Sequence, residues 1–336
     1  MAEYVGACGE AGGSGMVGAN RILYMKYFLS LLMVFVVGVV AKDAPELDPE
    51  KGGRDFQVQG EYTGEKLGVQ VIALGEGKFR AVILQGGLPG AGWDKTEKVE
   101  LDGALAGDKV EFAAAKGWKA VIDGGKLSAT SATGASVVCA KEQRKSPTLG
   151  EMPPAGAVVL FDGTSADHFK PGKKTEDGLL MQGANSVRRF QSQKLHIEFQ
   201  LPFQPKARGQ GRGNSGCYLQ GRFEVQVLDS FGLAGKDNEC GGLYSIKSPD
   251  LNMCLPPLTW QTYDVDFTAA KFDGDGKKIA SARMTVLHNG VKIHDNVELP
   301  KTTTAAPLGE GAAPGYLHLQ DHGQPVRYRN IWVVEK

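Results

Sequence analysis

Apolar and polar residues alternate in short runs along most of the chain after residue 42. Between residues 195 and 201, for example, apolar side chains alternate with His196, Glu198 and Gln200. Successive side chains of a β-strand point to opposite faces, so this pattern predicts strands with one buried face. Helical periodicity is almost absent, and Gly-rich turns separate the runs, which together predict an all-β protein.

Residues 42–142 form the first block of this pattern, which we interpret as a small all-β domain. Its turns recur about every ten residues, as expected for a meander or a small roll. Seven strands are predicted, at residues 68–74, 78–84, 98–101, 109–112, 118–122, 126–129 and 137–140. The block contains no histidine and its carboxylates are scattered, so a targeting, binding or structural role is expected.

Residues 143–156 are charged and then rich in Pro and Gly, which indicates a linker. The second block, residues 157–336, contains all six histidines. Asn289-Gly290 between two alternating runs is a strong hairpin signal. The apolar runs 158–161 and 331–334 lie near the two ends, and their pairing would close a two-sheet sandwich. Ten or more strands favour a concanavalin A-like jelly-roll.

The N-terminal 41 residues contain an uncharged run, residues 27–41, preceded by Arg21 and Lys26. Its 15 residues suit the core of a signal peptide better than a membrane span, which needs about 20. We therefore expect a signal peptide cleaved after Ala41, a true start at Met25, and a periplasmic or extracellular protein with no membrane span. An uncleaved anchor is the alternative.

The chain has 38 basic and 38 acidic residues and hence no formal net charge. This balance argues against a nucleic-acid partner or a polybasic membrane contact, both of which need excess cations. Five cysteines are too few for a disulfide scaffold. Cys240 and Cys254 flank an irregular stretch, so we predict a disulfide between them, although other pairings remain open; Cys217 is expected to be buried and free.

The first candidate for chemistry is the strand of residues 222–229. Glu224 and Gln226 share one face, about 7 Å apart. Asp229 has the opposite parity and would need a bulge to join them. Laminarinase-type glucanases carry two carboxylates at a similar spacing, but Gln226 departs from that pattern and makes the ordinary retaining mechanism doubtful. A solvated outer strand is the alternative.

Further candidates follow towards the C-terminus. His318, Gln320 and His322 share one parity, and two imidazoles beside an amide suit acid/base chemistry or metal binding. Arg327 and Arg329 would hold hydroxyls, a carboxylate or an oxyanion, unless they are merely edge cations. No complete ligand set is apparent, so a divalent metal ion stays an open possibility and no other cofactor is expected.

These residues occur in a series of motifs that resembles one family. The motifs are Leu160–Thr164, Gly213–Gly216, Phe223–Ser230, Gly242–Tyr244, Trp260–Asp264, His288–Val291, Leu319–Gly323 and Arg327–Trp332. Each is weak alone, but together and in this order they resemble the bacterial 3-keto-disaccharide hydrolase domain family over residues 157–336. The resemblance implies a concanavalin-like jelly-roll, export, and a sugar as the partner.

The resemblance also implies a reaction on glycosides whose C3 hydroxyl has been oxidised to a ketone. The ketone acidifies the C2 proton; its removal allows the group at C1 to leave, and water then adds. On chemistry and strand parity, Glu224 and His322 are the acid and base, in either order.

The substrate-binding set expected beside them consists of Asn214, Gln226, Asp229, Tyr244, Gln320, Arg327 and Arg329. Arg327 or Arg329, with Gln226, would hold the ketone or hydroxyls. A non-catalytic carbohydrate-binding, lectin-like protein is the alternative, and an exported structural protein is a third possibility. The oligomeric state stays unknown.

Overall fold

The computed structural model describes residues 44–336, so the expected signal peptide and its cleavage site lie outside the described residues. The described residues belong to one compact unit. Within the described part, no helix is long and apolar enough to cross a bilayer.

The first block is a closed antiparallel barrel of eight strands, preceded by the short helix α1 (Gly53–Val58). Its strands are β1 (Gly60–Gly64), β2 (Leu67–Gly75), β3 (Lys78–Gln85), β4 (Val99–Ala106), β5 (Lys109–Ala115), β6 (Trp118–Asp123), β7 (Lys126–Thr130) and β8 (Ser136–Glu142). All seven predicted strands are present. The eighth, β1, closes the barrel by pairing with both β2 and β8; its sequence, GEYTG, has no apolar alternation to signal it.

Strands β2 and β3 are apolar on both faces because each face meets a different core. Val71 and Ala81 belong to the apolar cluster inside the barrel. Ile72 and Val82 point the other way and belong to the core of the second block. The barrel and the second block therefore share a continuous buried apolar layer.

The second block is a sandwich of two antiparallel sheets, as predicted. The smaller sheet contains β10 (Phe169–Lys170), β12 (Ala184–Phe190), β21 (Gly315–Leu319), β14 (Ser215–Leu219) and β15 (Phe223–Val227), in that order. The larger contains β11 (Leu180–Met181), β22 (Arg327–Glu335), β13 (Gln193–Gln200), β16 (Trp260–Thr268), β19 (Ala282–His288) and β20 (Val291–Leu299), with β9 (Val158–Phe161) beside β22. The small hairpin of β17 (Lys271–Phe272) and β18 (Lys278–Ala280) and the 3₁₀ turn Gly209–Gly211 complete it.

Two predicted contacts fix this topology. The first and last strands pair, with Phe161 opposite Ile331, and Asn289-Gly290 joins β19 to β20. Asn289 has a φ of 51°, the left-handed conformation that this dipeptide accommodates. Aromatic rings fill the space between the sheets, including Phe223 and Phe267 with centroids 5.5 Å apart.

The segment 143–156 packs on the outer face of the larger sheet rather than hanging free. Ser146 Oγ lies 2.6 Å from Thr262 Oγ1, and the amide of Gly150 donates to Glu198 Oε1 at 2.5 Å. His196 and Glu198, on the polar face of β13, are consequently 0% exposed. The linker expected from composition therefore packs on this sheet and covers it, and we call residues 143–156 the cover segment.

The predicted disulfide between Cys240 and Cys254 is not formed. Both residues are buried free thiols, and the thiol of Cys240 lies 3.2 Å from the hydroxyl of Tyr263. The irregular stretch between them is held instead by core packing and by hydrogen bonds such as Asn252 Nδ2 to the Ser230 carbonyl, 2.8 Å. Cys217 is buried and free, as expected.

Truncating Val82 tests the shared apolar layer. Val82 is 0% exposed, whereas Val138, also in a barrel strand, is 59% exposed. Val82→Ala removes buried methyl groups and leaves a cavity, so we expect it to lower the free energy of unfolding by about 2 kcal/mol. Val138→Ala should change it by less than about 0.5 kcal/mol. Urea denaturation of both variants measures the difference. Equal effects would contradict the conclusion that Val82 packs in an apolar layer shared by the barrel and the second block.

Candidate functional site

A small pocket of about 140 Å³ opens on the outer face of the smaller sheet. Six of the nine predicted catalytic and binding residues line it: Asn214, Glu224, Gln226, Tyr244, Gln320 and His322. They come from β15, from the segments flanking β14 and β21, and from the loop after Leu243. Four further residues complete the wall: Gln210, Tyr218, Thr304 and Ala305.

Glu224 lies in the wall of this pocket and is 2% exposed. Its neighbours Phe223 and Val225 point into the core between the sheets and anchor the strand. On the adjacent strand, Gly216 stands opposite Gln226 and Tyr218 opposite Glu224. A Cβ on residue 216 would overlap the Oε1 atom of Glu224, so the carboxyl group occupies its position only because residue 216 is glycine.

Burial controls the protonation of Glu224. Removal from water raises the pKa of its carboxyl group to about 8, and a hydrogen bond with Tyr218 opposes this rise without cancelling it. Burial also raises the pKa of Tyr218, so the phenol keeps its proton. At neutral pH the pocket therefore contains an uncharged carboxylic acid that is hydrogen-bonded to a phenol, and the carboxyl group holds a proton that it can donate.

Amide side chains form the next part of the wall. Asn214 Nδ2 and Gln226 Nε2 both donate to Gln210 Oε1, at 3.0 and 3.2 Å. Gln226 Oε1 accepts from the amide of Val227 at 2.9 Å. Asn214 Oδ1 is buried and has no protein partner. Because an unpaired buried acceptor is costly, this oxygen is suited to accept a hydrogen bond from a ligand hydroxyl.

His322 stands at the exposed rim, where its Nδ1 lies 3.2 Å from Gln324 Oε1. Gln320 Nε2 donates to the Tyr218 hydroxyl at 3.3 Å and links the histidine segment to the pocket floor. His318 shares their parity but does not line the pocket; its Nδ1 is 2.6 Å from Asn185 Oδ1, and burial lowers its pKa.

The sequence analysis missed four residues that line the pocket, and they differ in whether the sequence carried a signal for them. Tyr218 has the same parity as Gly216 on β14, so strand periodicity carried a signal for it. Gln210, Thr304 and Ala305 lie outside the pocket strands and reach the site only through the tertiary fold. The rim is tied together by Thr304 Oγ1, which donates to Ser245 Oγ at 2.8 Å.

The structure does not bring Asp229 to the pocket. No bulge corrects its parity: β15 ends at Val227, and Asp229 Oδ2 pairs with Arg212 Nε at 2.6 Å. Both side chains are almost completely buried. The expected substrate contact of Asp229 is therefore wrong, since its carboxylate is used in a structural ion pair.

Arg327 and Arg329 are also absent from the pocket, because the chain changes sheets between His322 and Arg327. Both arginines lie on β22 of the larger sheet. Arg327 Nη1 donates to Gln182 Oε1 at 3.0 Å, and Arg329 Nε donates to Glu198 Oε2 at 2.7 Å. The prediction that they hold the substrate is corrected: parity along a strand does not reveal which sheet the strand joins.

The side chains that could hold a metal ion lie away from the pocket. In the described part of the chain, ligand atoms of Glu151, His196 and Asp264 lie within 4.8 Å of one another. This group lies between the cover segment, which contributes Glu151, and the larger sheet, and not at the pocket. His196 Nδ1 is already 2.6 Å from Asp264 Oδ1, and despite the opposing effect of burial Asp264 and Glu198 raise the pKa of His196 to about 9. The attraction between a protonated imidazole and the neighbouring carboxylates explains why these side chains lie close together.

Comparison with known proteins identifies the family of the sandwich. Residues 156–334 match the model of a family described as the 3-keto-alpha-glucoside-1,2-lyase-like domain. The match extends over more than half of the chain, so the chain belongs to this family of carbohydrate-active enzymes, and the resemblance inferred from the motifs is confirmed. A comparison with curated proteins gives no significant match.

Solved structures with a similar fold come from Parabacteroides distasonis ATCC 8503. One, named a "putative glycosyl hydrolase", is 32% identical, with a TM-score of 0.50, over 55% of this chain and 85% of its own. A second structure of the same description is 19% identical, with a TM-score of 0.40, over 54% of this chain and 94% of its own.

The raised pKa of Glu224 predicts how stability depends on pH. Unfolded, the carboxyl group loses its proton above its ordinary pKa of 4.5; folded, it keeps the proton up to about pH 8. Between these values the unfolded state binds fewer protons, so stability falls as pH rises, by roughly 1.4 kcal/mol per pH unit from this group. Glu224→Gln removes that slope.

Urea denaturation at pH 5, 6.5 and 8 measures this effect as the stability of Glu224→Gln minus that of the wild type. We expect the difference to increase with pH, because other titrating groups contribute equally to both proteins. A difference that stays constant from pH 5 to pH 8 would mean that Glu224 titrates normally.

Proposed function

We propose that the protein is an exported hydrolase of 3-keto-glycosides that works by elimination at C1 followed by addition of water. The observation that supports this most directly is the buried, uncharged Glu224 carboxyl group in a small pocket that also contains the imidazole of His322. Family membership and the named glycosyl hydrolase neighbour support the choice of substrate class.

The two titratable groups suit the two proton transfers. His322 takes the C2 proton, and the electrons of the C–H bond form an enolate with the C3 carbonyl. The enolate then reforms the ketone and a C1–C2 double bond, the C1–O bond breaks, and Glu224 gives its proton to the departing oxygen. We assign the role of acid to Glu224 because its raised pKa keeps it protonated at neutral pH.

Addition of water restores both groups. The ionised Glu224 accepts a proton from water as its oxygen bonds to C1, and the imidazolium of His322 returns a proton to C2. Gln226 and Gln320 line the same pocket, and in this proposal their amide groups would donate to the C3 oxygen while it carries negative charge. Asn214 Oδ1, which lacks a protein partner, would accept from a sugar hydroxyl.

The decisive experiment incubates the purified protein with 3-keto-trehalose and 3-keto-sucrose, and in parallel with the unoxidised sugars, in D₂O. We expect sugar release only from the oxidised substrates, with deuterium at C2 of the released 3-keto sugar. Release without deuterium would indicate direct displacement at C1 and reject the elimination. Saturable binding without any product would favour the lectin-like alternative.

Loss of either proton-transfer group should remove turnover without unfolding the sandwich. Glu224→Gln keeps the shape of the side chain and His322→Asn removes the titrating ring. We expect each to lower the rate about 10²–10⁴-fold, the usual contribution of general acid or base catalysis. Far-UV circular dichroism checks the fold; wild-type rates in both variants would reject this site.

Gly216 provides a test of carboxyl positioning that leaves both groups in place. In Gly216→Ala the new Cβ overlaps Glu224 Oε1 and lies 2.7 Å from Tyr218 Cε2. The carboxyl group must move, so we expect a rate at least about tenfold lower, since misplaced catalytic groups are this costly. Gly274→Ala is the matched control, because nothing lies within 4 Å of its added Cβ. Equal rates for the two variants would contradict the conclusion that Gly216 positions the Glu224 carboxyl group.

A further inference from the structure

A second cavity, of about 430 Å³, lies where the barrel meets the sandwich. One wall comes from the barrel, from α1, β1 and the end of β8, and continues into the cover segment. The opposite wall comes from residues 256–260, which lead into β16 of the larger sheet. The cavity is several times larger than the pocket around Glu224 and is lined by entirely different residues.

The apolar part of this cavity is rigid. Phe56 packs edge-on against Phe203, with ring centroids 5.3 Å apart. The Trp260 ring is half-buried and is held by the Arg329 guanidinium, 4.0 Å from its centroid. Arg329 is itself fixed by Glu198, 2.7 Å away. A fixed aromatic ring beside Pro256 and Pro257 is suited to the apolar C–H face of a sugar ring.

Gln59 supplies a buried hydrogen-bond donor that has no acceptor within the described protein. The residue lines the cavity and is 2% exposed. The Oε1 atom accepts from the amide of Ala73 at 3.4 Å, whereas Nε2 is buried without any hydrogen-bond partner. A buried donor left unpaired is costly, so Nε2 is best explained by an acceptor atom that a ligand brings.

The charges around the cavity favour a negative ligand. Glu61 is neutralised by Arg144, whose Nε and Nη2 donate to the carboxylate at 2.6 and 2.5 Å. Lys145 lines the cavity, is exposed, and has no partner in the described structure. Two further charged residues line the cavity and are engaged within the protein: Glu142 accepts from Thr63 Oγ1 at 2.9 Å, and Lys141 Nζ donates to the Gln57 carbonyl. The available groups are therefore an amide donor, an ammonium group and an aromatic wall.

We infer that this cavity is a second, non-catalytic binding site for a sugar acid, with the ring against Trp260, an oxygen accepting from Gln59, and the carboxylate facing Lys145. The inference does not depend on the reaction proposed for the Glu224 pocket. The carboxylates of Glu61 and Glu142 and the ammonium group of Lys141 are held in contacts within the protein, so binding without turnover is expected.

Fluorine NMR of the full chain labelled with 5-fluorotryptophan tests this directly. The chain has four tryptophans, none of which lines the Glu224 pocket, and Trp260→Phe identifies the Trp260 resonance. Titration with glucuronate should shift that resonance saturably and leave the other three unchanged. Glucose should bind more weakly, and acetate should give no saturable shift.

Two variants then test the contacts. Gln59→Leu should raise the dissociation constant for glucuronate roughly fivefold, the value of one net hydrogen bond. Lys145→Ala should raise it about threefold, as expected for an exposed charge pair, whereas the matched control Lys126→Ala, on an exposed strand of the barrel, should not change it. Absence of a saturable Trp260 shift, acetate binding as tightly as glucuronate, equal affinity for glucose, or wild-type affinity in Gln59→Leu would each overturn the inference.

Discussion

The close packing of Glu224 against Gly216 is the contact on which the candidate site depends. Because residue 216 has no side chain, the carboxyl group of the neighbouring strand can lie flat over it and remain 2% exposed. Exclusion from water then keeps the group protonated at neutral pH. The conformation, burial and protonation state of Glu224 thus all depend on the absence of a side chain at residue 216. A larger residue there would overlap the carboxyl group and force it to move.

That contact needs a sheet that does not move, and the two blocks provide it together. Barrel strands β2 and β3 give one apolar face to the barrel interior and the other to the sandwich. The cover segment adds buried hydrogen bonds over the larger sheet, such as that from Gly150 to Glu198. A barrel with no catalytic constellation of its own therefore contributes stability to the sandwich, and the junction also creates the cavity beside Trp260.

Strand periodicity was sufficient to predict most of this architecture. It predicted the seven barrel strands that alternate clearly, the pairing of the terminal sandwich strands, and the pocket face of β15 with Glu224 and Gln226. It failed where a property depends on distant segments. The choice of sheet for Arg327 and Arg329, the ion pair of Asp229 and the burial of Glu198 beneath the cover segment are all set by tertiary contacts that local alternation does not encode.

Two buried glutamates on opposite sheets show why burial alone does not define the site. Burial acts to raise the pKa of Glu198, but hydrogen bonds from His196, Asn330, Arg329 and the Gly150 amide lower it to about 2. Its oxygens are fully engaged, so it is a fixed anion that stabilises the cover segment. Glu224 has the same side chain and comparable burial, but only Tyr218 opposes the desolvation. A carboxyl group with spare hydrogen-bonding capacity, facing an open pocket, can exchange a proton with a ligand, and this difference in partners distinguishes Glu224 from the structural Glu198.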